Sequence, residues 1–236
     1  GGKDYLVEKG WDKVIPLDKV YHINNGIDLN SFQENQRNFR LNDADLEDSS
    51  TFKVIYAGSV RKVNHLQTLV LTAEELQKKQ ASHIRLLVYG DGDERESLEN
   101  LTAEKDLQNI IFKGRVDKKY IPFILSHADV NLIHVQSTPI MRFGCSLNKL
   151  FDYFASGKPI LSDLKVNYDL IEKYQAGIVL STQEPSVLAE TLCKVSDMPM
   201  EERKRMGQNA LKAAADHNYP GLTKKLIGVL ETVANV

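Results

Sequence analysis

Short apolar runs alternate with amphipathic stretches along most of the chain. The apolar runs, rich in Val, Ile, Leu and Tyr, predict strands at residues 20–24, 53–57, 84–89, 109–112, 129–134, 159–161 and 177–180. Between them, apolar residues at helical spacing predict helices near 64–80, 93–105, 117–127, 147–156, 167–174, 185–196, 200–216 and 220–235. Several strand runs are apolar throughout, as in parallel sheets covered on both faces. The alternation of strands and helices along the chain predicts an α/β fold built on a doubly wound parallel sheet.

Glycine-rich or polar loops follow most of the predicted strands. In sheets of this kind, ligands bind beyond the carboxyl ends of the strands. We therefore expect one rim of the sheet to carry the loops at 24–26, 58–62, 90–92, 114–116 and 135–146.

Three local features affect the predicted elements. The acidic and polar segment 42–50 predicts a mobile loop. Pro122 is unfavourable in the interior of the helix expected near 117–127, whereas Pro220 suits the first turn of the last helix.

Residues 144–162 carry the most informative pattern: a loop, a short helix, a glycine stop and a buried strand. Ser146 is expected to cap the helix, and Gly157 to take the left-handed position that ends it. Lys149 and Asp152 lie one turn apart, opposite an apolar face formed by Leu147, Leu150, Phe151 and Phe154.

This helix offers chemistry that suits a nucleoside diphosphate. Its free N–H groups and Lys149 suit phosphates. The Asp152 carboxylate suits the paired hydroxyls of a ribose. The alternative is an amphipathic helix on which both residues are solvated surface charges.

Two other strand-end loops are candidates for the same ligand. After the strand at 53–57, Gly58 lets backbone approach a ligand, and Arg61 and Lys62 can neutralise phosphate or serve as surface cations on a tight turn. After the strand at 109–112, the 114–116 backbone can contact a base on which the Arg115 stem packs, or it forms a simple turn.

The segment 90–93 contains the acidic pair Asp91 and Asp93, which could hold a divalent ion on a diphosphate. We favour a helix cap instead, with Asp93 as the N-cap and Glu96 completing a capping box, because acidic residues continue directly into an amphipathic helix. Among the scattered histidines, only His134 ends a strand at the expected rim.

The composition excludes several classes of function. The chain has 236 residues, 42% hydrophobic, and a net charge of −2, which gives no electrostatic case for binding nucleic acid or an anionic membrane. No apolar run approaches the ~20 residues that span a bilayer. Cys145 and Cys193 have no metal-type spacing and give no disulfide framework, which indicates a reducing compartment. Because no methionine precedes Met141, we expect a fragment or processed product.

Ordered motifs covering nearly the whole chain resemble the retaining glycosyltransferases of family 4, which have the GT-B fold. The similarity is to the Rossmann-like, nucleotide-sugar-binding C-terminal half, and its motifs lie at 22–32, 55–58, 88–92, 111–116 and 148–159. The resemblance implies transfer of a hexosyl or related sugar from a nucleotide diphosphate sugar to an acceptor hydroxyl. It implies UDP as the default donor nucleotide, with GDP as an alternative. It also implies that the reaction needs no cofactor and no metal ion. The variant pattern resembles a branch associated with bacterial surface polysaccharide synthesis.

The resemblance also implies a donor site. Asp152 matches the second of the family's two glutamates, whereas the first falls near Gly144, so backbone of residues 143–145 is expected to contact the donor sugar. The family's phosphate-binding arginine aligns with Ser59 of this chain. The family's phosphate-binding lysine aligns at about Asn64. The full expected set is Gly58, Ser59, Arg61, Lys62, Gly114, Arg115, Val116, Phe143, Gly144, Cys145, Ser146, Asn148, Lys149, Leu150 and Asp152.

The implied organisation has three parts. Residues 1–18 connect to an absent N-terminal domain, residues 19–218 form the donor domain, and residues 219–236 form a helix that returns toward the absent domain. That domain would bind a glycan or lipid-linked acceptor and carry part of the catalytic machinery, so this fragment alone is expected to be inactive. We expect a cytoplasmic protein, with peripheral association with the inner membrane as an option for the full-length chain. The alternatives are a GT-B-like sugar-nucleotide epimerase and a non-catalytic nucleotide-binding module.

Overall fold

A computed structural model, which describes residues 1–234, contains a sheet of six parallel strands in the order β3-β2-β1-β4-β5-β6. This is the order of a Rossmann-like sheet, in which successive strands are added on one side of β1 up to β3 and on its other side from β4 onward. The strands are β1 (Phe52–Ala57), β2 (Ile84–Tyr89), β3 (Ile110–Gly114), β4 (Val130–Ile133), β5 (Ile160–Ser162) and β6 (Gly177–Val179).

Helices cover both faces of the sheet. Alternate residues of β1 show this directly, because Val54 and Tyr56 belong to the apolar cluster on one face of the sheet, whereas Ile55 and Ala57 belong to the cluster on the other face. The helices are α1 (Gly2–Glu8), α2 (Leu29–Asn38), α3 (Ala44–Glu47), α4 (Gln67–Lys78), α5 (Arg95–Glu104), α6 (Ile121–Ser126), α7 (Asn148–Ala155), α8 (Leu170–Tyr174), α9 (Pro185–Ser196), α10 (Met200–Asp216) and α11 (Tyr219–Ala234).

Most predicted elements are confirmed. The helix expected near 117–127 divides into a 3-10 turn, Lys118–Tyr120, and α6, because Pro122 lies in the first turn of α6, where its missing N–H costs no bond. Pro220 likewise lies in the first turn of α11. Residue 235, the last of the helix expected at 220–235, and residue 236 lie outside the described part of the chain.

The strand predicted at 20–24 is wrong. Within residues 1–234 this segment pairs with no strand, and nearby only Ile27 makes a single bridge, to Asn218. Tyr21 is exposed, so the apolar run covers no sheet face. A helix that the apolar pattern did not predict, α2, follows this segment, and Asp28 caps it by accepting a hydrogen bond from the Ser31 N–H at 3.0 Å.

The prediction of a mobile loop at 42–50 is also wrong. Lys113 holds this segment through ion pairs to Asp43 at 2.6 Å and Asp45 at 2.5 Å, and Arg85 pairs with Asp45 at 2.8 Å. The Tyr89 hydroxyl donates to Asp43 at 2.7 Å. Burial alone raises the pKa of Asp43, but the bonds from Lys113 and Tyr89 outweigh it and lower that pKa. The acidic residues are therefore structural partners of β2 and β3.

The first 18 residues and α11 lie outside the sheet. The segment 1–18, expected as a connection, forms α1 and two short turns, and α1 packs on the 3-10 turn Pro139–Phe143 through the Tyr5 and Phe143 rings, 5.3 Å apart. The division into connection, donor domain and returning helix stays a prediction. None of the helices in the described residues is long and apolar enough to cross a bilayer.

Candidate functional site

Three glycines form the floor of the site at the carboxyl ends of β1, β2 and β3. The ladder continues through them, because the Gly58 N–H donates to the Tyr89 carbonyl and the Gly90 N–H to the Gly114 carbonyl, each at 2.9 Å. A Cβ atom on Gly90 would lie 1.7 Å from the Gly58 carbonyl oxygen. Gly114 has a φ of +73°, in the left-handed region. Bare backbone therefore faces any ligand at this edge.

Two adjoining cavities lie above these glycines. The first, of about 650 Å³, is lined by the glycine loops together with Arg61, Arg115 and Val116. The second, of about 440 Å³, is lined by residues of α2, Asn148 and Asp152. Lys118 and Ile121 line both cavities, so the two form one continuous groove along the rim. Each of the two cavity volumes lies in the range of a small-molecule site.

Lys149 lines neither cavity but lies beside the glycine floor, next to Gly58. Its ammonium is 4.1 Å from the centroid of the Tyr56 ring, and a Cβ atom on Gly58 would approach Lys149 Nζ to 2.5 Å. Burial lowers the pKa of Lys149 to about 8, and no salt bridge within residues 1–234 involves this side chain. A half-buried cation without a protein carboxylate suits an incoming anion. The interpretation of Lys149 as a solvated surface charge is wrong.

The N-terminus of α7 adds backbone donors. Ser146 does not cap the helix, because Leu147 occupies the N-cap position and no side chain in the described residues caps the helix there. Instead, the Asn25 amide donates to the Ser146 carbonyl at 3.1 Å and to Asn148 Oδ1 at 2.9 Å. The first-turn N–H groups are therefore open to an anion. The expected stop is confirmed, since Gly157 follows the helix with a φ of +67°.

Asp152 projects from the same helix into the second cavity. Burial raises the pKa of its carboxyl, and the positive charge of Lys118 opposes that shift. Within residues 1–234, no hydrogen bond to the Asp152 carboxylate is formed, so its oxygens can accept from ligand hydroxyls.

The comparisons with known proteins agree with this geometry. The family model described as "Glycosyl transferases group 1" matches residues 39–213. The chain belongs to the group 1 glycosyltransferases. No curated protein sequence matches it significantly.

Solved structures similar to this glycosyltransferase chain share its fold at low sequence identity. A glycosyltransferase from Rickettsia africae has a TM-score of 0.70 at 16% identity, covering 93% of this chain and 59% of that one. Anabaena Alr3699/HepE in complex with UDP has a TM-score of 0.69 at 16% identity, covering 89% and 57%. The pneumococcal O-GlcNAc transferase GtfA in complex with UDP and GlcNAc has a TM-score of 0.59 at 19% identity, covering 78% and 36%. The chain thus spans less than two thirds of each, and its sheet is Rossmann-like, as in GT-B glycosyltransferases.

The other expected site residues of this glycosyltransferase chain divide into two groups. Arg61, Arg115 and Val116 line the first cavity, as expected. Ser59 lines it too and is held by Asn64, whose amide donates to the Ser59 carbonyl at 2.7 Å and hydroxyl at 2.8 Å. Leu150 is buried against the sheet, so only its backbone can face a ligand.

The remaining four lie away from the groove. Lys62 is exposed in the 3-10 turn Lys62–Asn64 and lines neither cavity. Phe143, Gly144 and Cys145 line neither cavity either, because the loop before α7 turns toward α1, where the Arg142 guanidinium pairs with Glu8. Gly144 has a φ of +103°, and burial raises the pKa of the Cys145 thiol. The donor-sugar contact expected from these three residues stays a prediction.

The acidic pair after β2 does not form the predicted cap. α5 begins at Arg95 with Glu94 as its N-cap, so Asp93 precedes the cap position. Asp91 accepts from the Gly92 N–H at 3.0 Å and lies 3.8 Å from the Arg95 guanidinium. In the described part of the chain, no three His, Cys, Asp or Glu side chains converge as a metal site would require.

Sequence reasoning missed several residues of the groove. Lys118 lines both cavities, Tyr56 supports Lys149, and Asn25 holds the entrance to α7. Lys118 lies four residues beyond the end of β3, so its place after a strand end was a usable signal. Tyr56 and Asn25 act only through contacts with α7, which is distant in sequence.

Proposed function

We propose that this chain is the donor-binding domain of a retaining family 4 glycosyltransferase. The complete enzyme would transfer a hexosyl or related sugar from a nucleotide diphosphate sugar to an acceptor hydroxyl, in bacterial surface polysaccharide synthesis. One observation carries the proposal: Lys149, unpaired within residues 1–234, lies at the glycine floor one helical turn from Asp152. Family membership and the UDP complexes of two compared proteins support UDP as the nucleotide.

In this proposal, the three parts of the donor nucleotide contact different residues of the site. The diphosphate lies against Lys149, Arg61 and the first turn of α7, the ribose hydroxyls donate to Asp152, and the base lies along the 114–116 loop. The cations and N–H groups stabilise the charge that develops on the leaving diphosphate, which is electrostatic catalysis without a metal ion.

The remainder of the proposal concerns the full-length enzyme. An N-terminal domain would bind a glycan or lipid-linked acceptor, close over the donor and exclude water. Such an enzyme would work in the cytoplasm or at the inner face of the inner membrane. The anomeric configuration of its product, assigned by NMR, tests retention.

The structure gives no support to the epimerase alternative. An epimerase needs acid and base groups that face the sugar. His134, which ends a strand at the expected rim, is fully buried, and both of its ring nitrogens face protein acceptors.

Replacing Asp152 with alanine is expected to weaken UDP binding by ~1–3 kcal/mol, the size of a lost hydrogen bond to a charged group. Calorimetric titration measures this loss. Asp93→Ala is the matched control, because Asp93 is exposed and lines neither cavity. With 2′,3′-dideoxy-UDP, wild type and Asp152→Ala should bind equally; an unequal loss with this analogue would contradict the ribose assignment.

UDP affinity is expected to fall as pH rises above about 8, the pKa to which burial lowers Lys149. The diphosphate prefers the ammonium form, so binding raises this pKa. The favourable interaction is therefore complete well below pH 8 and is lost progressively as the pH rises from 8 through the higher pKa of the complex. Between pH 7 and pH 9 the association constant should fall about tenfold by linkage. Titrations of wild type and Lys149→Met at both pH values test this, and an equal fall in the variant would refute the assignment.

A further inference from the structure

A fully buried histidine–aspartate pair lies behind the groove. His134, which directly follows β4, and Asp163, which directly follows β5, are 0% and 1% exposed. His134 Nδ1 is 2.5 Å from Asp163 Oδ2, and His134 Nε2 is 3.1 Å from the His65 carbonyl oxygen. A carbonyl can only accept, so Nε2 carries a proton and donates it. The other ring nitrogen, Nδ1, faces the Asp163 carboxylate.

The Nε2 bond holds the loop that follows β1. His65 has a φ of 53°, a left-handed conformation that is uncommon outside glycine. It ends the turn Lys62–Asn64, and its N–H donates to the Lys62 carbonyl at 3.1 Å. Its neighbour Asn64 in turn holds Ser59 in the wall of the groove. The ring of His134 therefore fixes the far end of the loop that begins at the glycine floor.

The other side of the pair holds the loop that leads to α7. Gln183, which follows β6, donates to Asp163 Oδ1 at 3.3 Å and to the Val135 carbonyl at 2.9 Å. Its carbonyl oxygen accepts from the Ser137 N–H at 3.0 Å. The pair thus connects the loops after β1, β4, β5 and β6.

We infer that His134 and Asp163 are positioning residues of the proposed donor site, holding the 58–65 loop in place for the diphosphate of the ligand. The inference rests on the proposed function. Neither side chain lines either cavity, so both act through the loops that they hold. The ribose and base side of the groove, formed by the 114–118 loop and Asp152, has no bond to this pair and should not depend on it.

Two conservative variants separate the two hydrogen bonds of the His134 ring. His134→Gln places an amide nitrogen near the Nε2 position and retains the bond to His65, whereas His134→Asn places one near Nδ1 and retains only the bond to Asp163. We expect His134→Asn to lower UDP affinity about tenfold, the effect of one lost buried hydrogen bond, and His134→Gln to lower it less than threefold. Uridine, which lacks the diphosphate, should bind wild type and both variants equally.

The outcomes of these calorimetric titrations are distinct. Equal UDP affinity for wild type and His134→Asn, or parallel losses of UDP and uridine binding, would overturn the positioning role alone. Failure of wild type to bind UDP would contradict the proposed function, and the inference with it. NMR of the His134 ring in wild type adds a test that needs no variant: its Nε2 proton signal should be protected and should shift on adding UDP but not uridine. An exchanging or unresponsive signal would overturn the inference.

Discussion

Replacing Lys149 with methionine is expected to weaken UDP binding about 10- to 150-fold, the largest loss we expect from a single side chain at this site. Bonds from a charged donor to a phosphate contribute ~1.5–3 kcal/mol each. The Lys149 ammonium is available for them because it is half-buried over the Tyr56 ring and, within residues 1–234, forms no salt bridge. Methionine keeps an unbranched stem over Tyr56 and removes the charge.

The same variant should unfold at no lower denaturant concentration than wild type. Burial disfavours the charged form of Lys149, so its removal relieves a cost in the folded state. Lys62→Met is the matched control, because Lys62 is exposed three residues beyond Ser59 and lines neither cavity. Equal losses of affinity in the two variants would show a general charge effect and contradict a specific role for Lys149.

Replacing Gly90 with alanine should lower the free energy of unfolding by ~2–4 kcal/mol and abolish measurable UDP binding. The added Cβ would lie 1.7 Å from the Gly58 carbonyl oxygen, and both residues are fixed by the continued β-ladder. The two loops can separate only by breaking bonds at the glycine floor, which is overpacking against rigid backbone. Urea denaturation and calorimetric titration measure the two effects.

Gly228→Ala is the control for this variant. Gly228 lies in α11, and a Cβ there would meet no atom within 4 Å. Alanine in a helix interior is expected to leave stability unchanged or raise it. If Gly90→Ala were as stable as Gly228→Ala and bound UDP normally, the close approach of β1 and β2 would not be a requirement of the site.

The sheet and most helices were predictable from local pattern alone. Buried parallel strands are apolar runs, and the helices between them keep a regular apolar face, so each element carries its own signal. The segments 20–24 and 42–50 failed because their structure depends on partners elsewhere. The first is apolar but has no strand beside it within the described residues, and the second is acidic but is held by Lys113.

The site was predictable to the extent that it follows from topology. Gly58, Arg61 and Arg115 line the groove because loops at the carboxyl ends of parallel strands share one rim, and Lys149 and Asp152 follow from helical spacing. The path of a loop does not follow from topology or helical spacing. The loop before α7 turns toward α1, so residues 143–145 lie off the groove, and α7 begins after Leu147 without a side-chain cap.

Calorimetric titration of this chain with UDP, GDP and ADP, each with and without magnesium, tests the central claim most directly. The account predicts that UDP binds in magnesium-free buffer, that magnesium does not strengthen the binding, and that GDP and ADP bind more weakly. Binding only in the presence of magnesium would contradict a site whose charge is neutralised by Lys149, Arg61 and helix N–H groups. Binding of none of the three would contradict a donor-nucleotide site on this chain.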